Sequence, residues 1–312
     1  MQTVRLGRTG DEVSVVGLGC GGASRLGVAK GGDVAHAAGI VRRAIELGVT
    51  FIDTARNYGT EQAVGEGIGG HRHEVFLSTK CSAGRGERLT TAAELAQVID
   101  DSLANLRTAR VDLYHLHGVS PAQYDHAIAV LLPELKRAQA AGKIRFVGVT
   151  EGFGRDTGHV MLARALAEDH FDVVMTGFNM LNPSARTRVF PQTLEHDVGT
   201  LIMFAVRRSL SEPAALIEAV AGLIARGEID GRAIDADDPL GFLTGRDDVA
   251  SVIEAAYRFC RHERGAQVIL TGTGDARHLE ANIASIQAPP LPADVQDRLA
   301  NLFGAVDSVS GN

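Results

Sequence analysis

Tryptophan is absent from this 312-residue chain, and cysteine is scarce: only Cys20, Cys81 and Cys260. Three scattered cysteines build neither a disulfide framework nor a zinc ligand set, and they fit a reducing cytoplasm. Nothing further follows from the missing tryptophan. Basic charge is also short. The net charge is -7 and no basic run occurs, which removes the electrostatic case for nucleic acid or an anionic membrane as partner. No apolar run approaches the roughly 20 residues of a membrane helix. The opening "MQTVRLGRTG" lacks the basic and apolar regions of a signal peptide. What is present is ordinary globular material, 45% hydrophobic and 22% charged, enough to bury the core of one α/β barrel.

Short β-rich runs alternate with longer helical patterns. "TVRLGRTGDEVSVV" reads as a hairpin turning at Arg8-Thr9-Gly10-Asp11. Eight apolar strand candidates follow, at 15–19, 49–54, 75–80, 111–117, 145–150, 172–178, 200–205 and 267–272. They are near-continuous apolar runs, as expected of parallel strands covered on both faces. The segments between them are helical by apolar spacing. "TAAELAQVIDDSLANL" opens on a capping box of Thr91 and Glu94. "EPAALIEAVAGLIARG" starts with Pro213, which a first helical turn accepts, and stops at Gly227. The expectation is one α/β domain over 1–312: a (β/α)8 TIM barrel with an N-terminal β-hairpin and an extra C-terminal helix at 292–303, outside the barrel. One long interval, 206–266, holds two helical patterns and an acidic, glycine-containing segment.

Chemistry in such a barrel sits at the C-terminal ends of the strands. Those ends carry Asp53, with Tyr58 in the loop beyond; Lys80; His115 and His117; and Thr150 with Glu151. Period-two alternation puts His115 and His117 on one face. They could be a metal pair, or His115 a hydrogen-bonded core histidine. Lys80 could form a Schiff base with a carbonyl. It could instead stay charged beside Asp53 and lower the pKa of a nearby phenol, or simply form a structural ion pair. "GLGCGG" (17–22) matches a dinucleotide fingerprint, but about ten residues pass before the next helix, so a flexible loop at the rim is the better reading.

"GVTFIDTARNYGTEQAVGEGI", "VFLSTK", "VDLYHLHG", "GKIRFVGVT", "GFNMLNPSAR" and "LTGTGDARHLEANI" together resemble the aldo-keto reductase superfamily, in its order and over nearly the whole chain. The resemblance implies a catalytic tetrad of Asp53, Tyr58, Lys80 and His117. It also implies a nicotinamide cofactor, NADP with NAD possible, that delivers hydride to the carbonyl of a small aldehyde, ketone or sugar. Tyr58 would protonate the alkoxide, Lys80 and Asp53 would tune it, and His117 would orient the carbonyl oxygen.

By the same resemblance, Thr150 and Glu151 stand where Ser-Asn holds the carboxamide, and Met175 replaces a glutamine. Phe204, or Met203, would meet the nicotinamide, and Arg207 and Arg208 the pyrophosphate unless they are solvated loop charges. Gly272, Thr273, Arg277, His278 and Asn282 fall in the region that binds the 2′-phosphate end. Gly272 stands where lysine is frequent, and His278 where NADP-preferring members carry arginine. Ala281 replaces a frequent acid. Two other functions stay open: a cofactor-binding redox sensor with little turnover, suggested by Glu151 and Met175, and a metal-dependent hydrolase using His115 and His117. The partner expected is a small carbonyl compound, and the assembly a monomer or small homo-oligomer.

Overall fold

Alternating side chains decide how the strands of this chain are used. The computed structural model describes every residue from Met1 to Asn312. An antiparallel hairpin, β1 (Thr3–Arg5) and β2 (Glu12–Ser14), precedes the barrel strands β3 (Val16–Gly19), β4 (Phe51–Asp53) and β5 (Phe76–Ser82). A small second hairpin follows, β6 (Gly84–Arg85) with β7 (Arg88–Leu89). Then come β8 (Val111–Val119), β9 (Ile144–Glu151), β10 (Val173–Gly177), β11 (Gly199–Met203) and β12 (Val268–Thr271). The eight barrel strands are parallel and close in the order β3-β4-β5-β8-β9-β10-β11-β12 back to β3. All eight lie where the apolar runs place them, with ends displaced by only a few residues.

Phe51, Phe76, Leu113, Val173, Met175, Leu201 and Val268 form a separate cluster inside the barrel with Leu6 and Val13 of the hairpin. Ile52, Leu77, Tyr114, Val147, Val149, Val174, Ile202 and Ile269 belong to the larger core between strands and helices. The hairpin therefore plugs the N-terminal end. Its turn presses so close that a Cβ on Gly7 would meet the Gly199 nitrogen at 2.2 Å. Arg145 fastens it from β9, donating to Asp11 at 2.9 Å and to Asp112 at 3.0 Å.

The helix signals act as their chemistry demands. At helix Ala92–Asn105 the Thr91 hydroxyl accepts from the Glu94 amide at 3.2 Å, and Glu94 accepts from the Thr91 amide at 2.8 Å. Helix Pro213–Ala225 starts on its proline, and Gly227 beyond it adopts φ 70°. The long interval builds a second core of 19 buried residues with helix Ala293–Phe303, outside the main cluster. After that helix the chain runs back to the barrel mouth. The Val309 and Ser310 carbonyls accept from Asn182 (2.8 Å) and Asn179 (3.2 Å), and the Gly311 carbonyl from the Ser209 amide (2.9 Å). No helix is long and apolar enough to cross a membrane.

Candidate active site

Asp53 closes β4, and parity from Phe51 turns it inward. Lys80 is inward on β5 by the same count from Phe76, and His115 and His117 on β8 from Leu113. Their ammonium, carboxylate and imidazoles therefore meet in the upper lumen. Lys80 Nζ donates to Asp53 Oδ2 at 2.6 Å and to the Thr54 carbonyl at 2.7 Å, while the Ser78 hydroxyl donates to Asp53 Oδ1 at 2.9 Å. Lys80 has no exposure. Burial works against the ammonium, but Asp53 and Tyr58 outweigh it and the net shift is upward, so Lys80 stays charged. Burial pushes the Asp53 carboxyl up, with Lys80 and Ser78 opposing.

Tyr58 is brought in by a single turn, Arg56–Tyr58, closed by Gly59 at φ 72°. A side chain on Gly21 would put its Cβ 2.6 Å from the phenol ring, so this glycine after β3 serves close approach. The phenol oxygen lies 3.3 Å from His117 Nε2, and Lys80 Nζ lies 5.1 Å from the ring centre. Burial raises the Tyr58 pKa, Lys80 lowers it and Asp53 raises it; the net direction is up. The lysine thus acts on the phenol as the sequence suggests, but burial is the larger effect and Tyr58 keeps its proton. His117 is held down to about 3 by burial and then by Lys80, so its imidazole is neutral at ordinary pH.

His115 has neither ring nitrogen hydrogen-bonded. Its ring lies against Gly148, where a Cβ would come within 2.3 Å of Nδ1. Burial and the Lys80 charge push its pKa well down. No group of three or more His, Cys, Asp or Glu side chains is arranged to hold a metal ion, so the two histidines lack further protein ligands.

Thr150 and Glu151 are adjacent and cannot share a face. Thr150 points inward and its hydroxyl accepts from the Gly118 amide at 2.7 Å. Glu151 points outward, with Val147 and Val149, into the helix layer. Its carboxylate meets His159 Nδ1 at 2.9 Å and accepts from the Gly177 amide at 2.7 Å and the Thr176 hydroxyl at 2.9 Å. Its side chain has no exposure. The carboxamide role that the resemblance implies for Glu151 therefore has no support in this geometry, because strand parity turns it from the lumen. Met175 faces the lumen, below the site.

On the opposite rim, Met203 faces inward beside the interior cluster. Phe204, at φ 67°, stands edge-on to Phe153 with ring centres 5.5 Å apart, and the Arg207 guanidinium covers it at 4.2 Å. Arg207 Nε donates to Asn312 Oδ1 at 2.6 Å and forms no ion pair, whereas Arg208 pairs with Glu212 at 3.1 Å. Burial lowers the Arg207 pKa.

After β12 the chain passes close to other backbone. A Cβ on Gly272 would meet the Gly19 oxygen at 2.4 Å, and one on Gly274 the Gly27 backbone at 2.4 Å. The Thr273 hydroxyl accepts from the Asp275 amide at 3.1 Å, and Asn282 donates to the Thr271 hydroxyl at 2.9 Å. Arg277 reaches into solvent, 91% exposed. Sequence reasoning missed Asp275, which caps helix Ala276–Gln287. Its Oδ1 accepts from the Arg277 and His278 amides at 2.8 and 3.3 Å. The signal was an acid directly before the helix.

The Aldo/keto reductase family model matches residues 17–302. L-galactose dehydrogenase of Arabidopsis thaliana is 35% identical over 153 residues, 46% of this chain and 47% of its own length. Aldo-keto reductase YhdN of Bacillus subtilis (strain 168) is 30% identical over 221 residues, 67% of this chain and 63% of its own. The chain thus spans about half to two-thirds of these relatives. Among solved structures, aldo-keto reductase AKR11C1 from Bacillus halodurans in its holo form superposes with TM-score 0.73 at 23% identity, covering 98% of this chain and 97% of that one, a likeness of fold. With a family model over nearly its whole length and the barrel to match, this chain belongs to the aldo/keto reductase family of oxidoreductases.

Proposed function

We propose that the protein is an NAD(P)H-dependent reductase of small aldehydes, ketones or sugars, or the corresponding alcohol dehydrogenase, with Tyr58 as proton donor. The observation that carries this reading is one array: the buried Asp53–Lys80 pair at 2.6 Å, the ammonium 5.1 Å from the Tyr58 ring centre, and the phenol 3.3 Å from His117. A carbonyl oxygen held between Tyr58 and His117 receives a hydrogen bond from the phenol, and another from Nε2 when that nitrogen carries the imidazole proton. As negative charge develops on that oxygen, Tyr58 transfers its proton, and the fixed Lys80 ammonium stabilises the phenolate left behind. Asp53 holds Lys80 in place and keeps it charged. In the oxidative direction Tyr58 has to start as the phenolate, a form its raised pKa disfavours at neutral pH.

The nicotinamide supplies the hydride when bound. Met203, Phe204 and Arg207 on the rim fit a dinucleotide: apolar surface and an arginine without an acid partner. Thr150, Thr273 and Asn282 remain candidate contacts. The resemblance implies NADP. Asp275 weighs the other way, because its carboxylate takes the two helix amides that a 2′-phosphate would use and repels a second anion. We therefore expect NADH to serve at least as well as NADPH.

The test is titration of the protein with each cofactor, followed by turnover with a panel of aldehydes, ketones and sugars. Binding of either cofactor and its oxidation by a panel member support the reading. No fluorescence change with either, and no turnover, would overturn it.

A further inference from the structure

Beside the tetrad, at the mouth of the barrel, lies a cleft of about 800 Å³. His117 forms part of its wall. Three arginines also line it: Arg85 and Arg88 from the β6–β7 hairpin, and Arg155 from the loop after β9. The hairpin follows β5 and the loop follows β9, the two strands flanking β8, so the arginine-bearing segments lie on opposite sides of the strand that carries His117. No aspartate or glutamate lines the cleft, in a protein whose net charge is -7. Arg88 is paired with Glu94, but Arg85 and Arg155 have no ion-pair partner. Only Leu89 and Ala122 are apolar among the 14 lining residues; Asn57, Ser82 and Ser120 add polar groups. The unpaired guanidinium groups make this good ground for a substrate bearing an oxyanion.

Resting on the reductase reading of the same site, we propose that the carbonyl substrate carries a carboxylate or phosphate group, held by Arg85 and Arg155 while its carbonyl meets Tyr58 and His117. A guanidinium fork matches either oxyanion in a bidentate fashion, and both arginines are free to do so. The positive cleft also draws anionic substrates toward the site more than neutral ones, an effect that salt screens.

The experiment measures kcat/KM for aldehydes matched except for a terminal group: succinic semialdehyde against butanal, and glyceraldehyde 3-phosphate against glyceraldehyde. The wild-type protein should favour at least one anionic member by roughly ten- to a hundredfold, the range of one or two charge-assisted hydrogen bonds. The two pairs separate carboxylate from phosphate. In the double variant Arg85→Gln/Arg155→Gln the anionic-to-neutral ratio should fall toward one, with the melting curve showing that the variant is folded. A ratio at or below one in the wild type for both pairs, with the neutral aldehydes turned over, overturns the proposal and leaves the reductase reading intact. So does a folded double variant that keeps the wild-type ratio. No turnover of any of the four counts against the reductase reading itself, and this proposal falls with it.

Discussion

Two buried carboxylates stand at strand ends of this barrel, and they have opposite fates. Asp53 ends β4 facing the lumen and is joined to Lys80 at 2.6 Å; Glu151 ends β9 facing the helices and is joined to His159 at 2.9 Å. Each pairs with a base, and each is shielded from water. The first pair stands beside a phenol and a histidine, and the histidine opens onto a cleft. The second continues from His159 Nε2 to the Ser184 hydroxyl at 2.9 Å, so carboxylate, imidazole and hydroxyl line up as in a serine hydrolase. That line is sealed. Phe153 stacks on His159 with ring centres 5.4 Å apart, and Ser184 also bonds Asn182 at 2.6 Å and the Thr157 carbonyl. It ties the ends of β9 and β10 to the loops above them. The same chemical parts do chemistry or hold structure according to which side of the strand they occupy.

Breaking each pair separately tests that contrast. Of the two, Asp53→Asn should have the larger effect on turnover. Removing the carboxylate leaves Lys80 buried without its anion, at a cost of about 3–5 kcal/mol, and turnover should fall on the order of 100-fold as the ammonium loses its charge. Denaturant melts and steady-state rates measure the two losses. If the variant matched the wild type in both, the pair would be incidental. Glu151→Gln should be nearly the reverse. Its stability should drop by about 1–3 kcal/mol as hydrogen bonds of the buried cluster are mismatched, while kcat/KM stays within a few-fold. A Glu151→Gln protein of native stability that had lost cofactor binding would return Glu151 to the nicotinamide site.

A pH profile sharpens the comparison at smaller amplitude. Tyr58 has a raised pKa and is protonated below it, so carbonyl reduction should stay level from neutral pH into the alkaline range. Alcohol oxidation needs the deprotonated phenol and should climb with pH over the same range. His117, held near 3, should add no acid limb in the region where histidine ordinarily titrates. Initial rates in both directions supply the check; an oxidation rate that falls with rising pH would contradict it. The smallest effect expected is at the dinucleotide end. Asp275→Ser keeps a capping oxygen but removes the charge, and should shift preference toward NADPH by no more than roughly tenfold. A preference unchanged between the two proteins, read from paired titrations, would separate Asp275 from cofactor choice.

Much of this was legible in the residues alone. The eight strands, the Thr91 capping box and the inward placement of Asp53, Lys80 and His117 follow from apolar runs and from period-two alternation. Glu151 obeys the same rule: with Thr150 facing the lumen, its neighbour turns to the helices. Other features depend on contacts distant in sequence. The arginines of the cleft come from a hairpin and a loop some 70 residues apart, Arg85 and Arg155, and meet only because β5 and β9 flank β8. The Tyr58 pKa is a balance between burial and charge, and residue types alone do not reveal how deeply a phenol is buried. The second core under 206–266 has no strand pattern to announce it, because its apolar residues are spread over loops and the helices Pro213–Ala225, Val252–Arg261 and Ala293–Phe303.

The most direct measurement compares wild type and Tyr58→Phe for cofactor affinity and for turnover of a common aldehyde. Removing one hydroxyl leaves the ring, Lys80 and the rim in place, so cofactor should bind with unchanged Kd while kcat falls by roughly 10²- to 10⁴-fold. A Tyr58→Phe protein that reduces the aldehyde at the wild-type rate would contradict the assignment of Tyr58 as proton donor, and with it the mechanism proposed for this site.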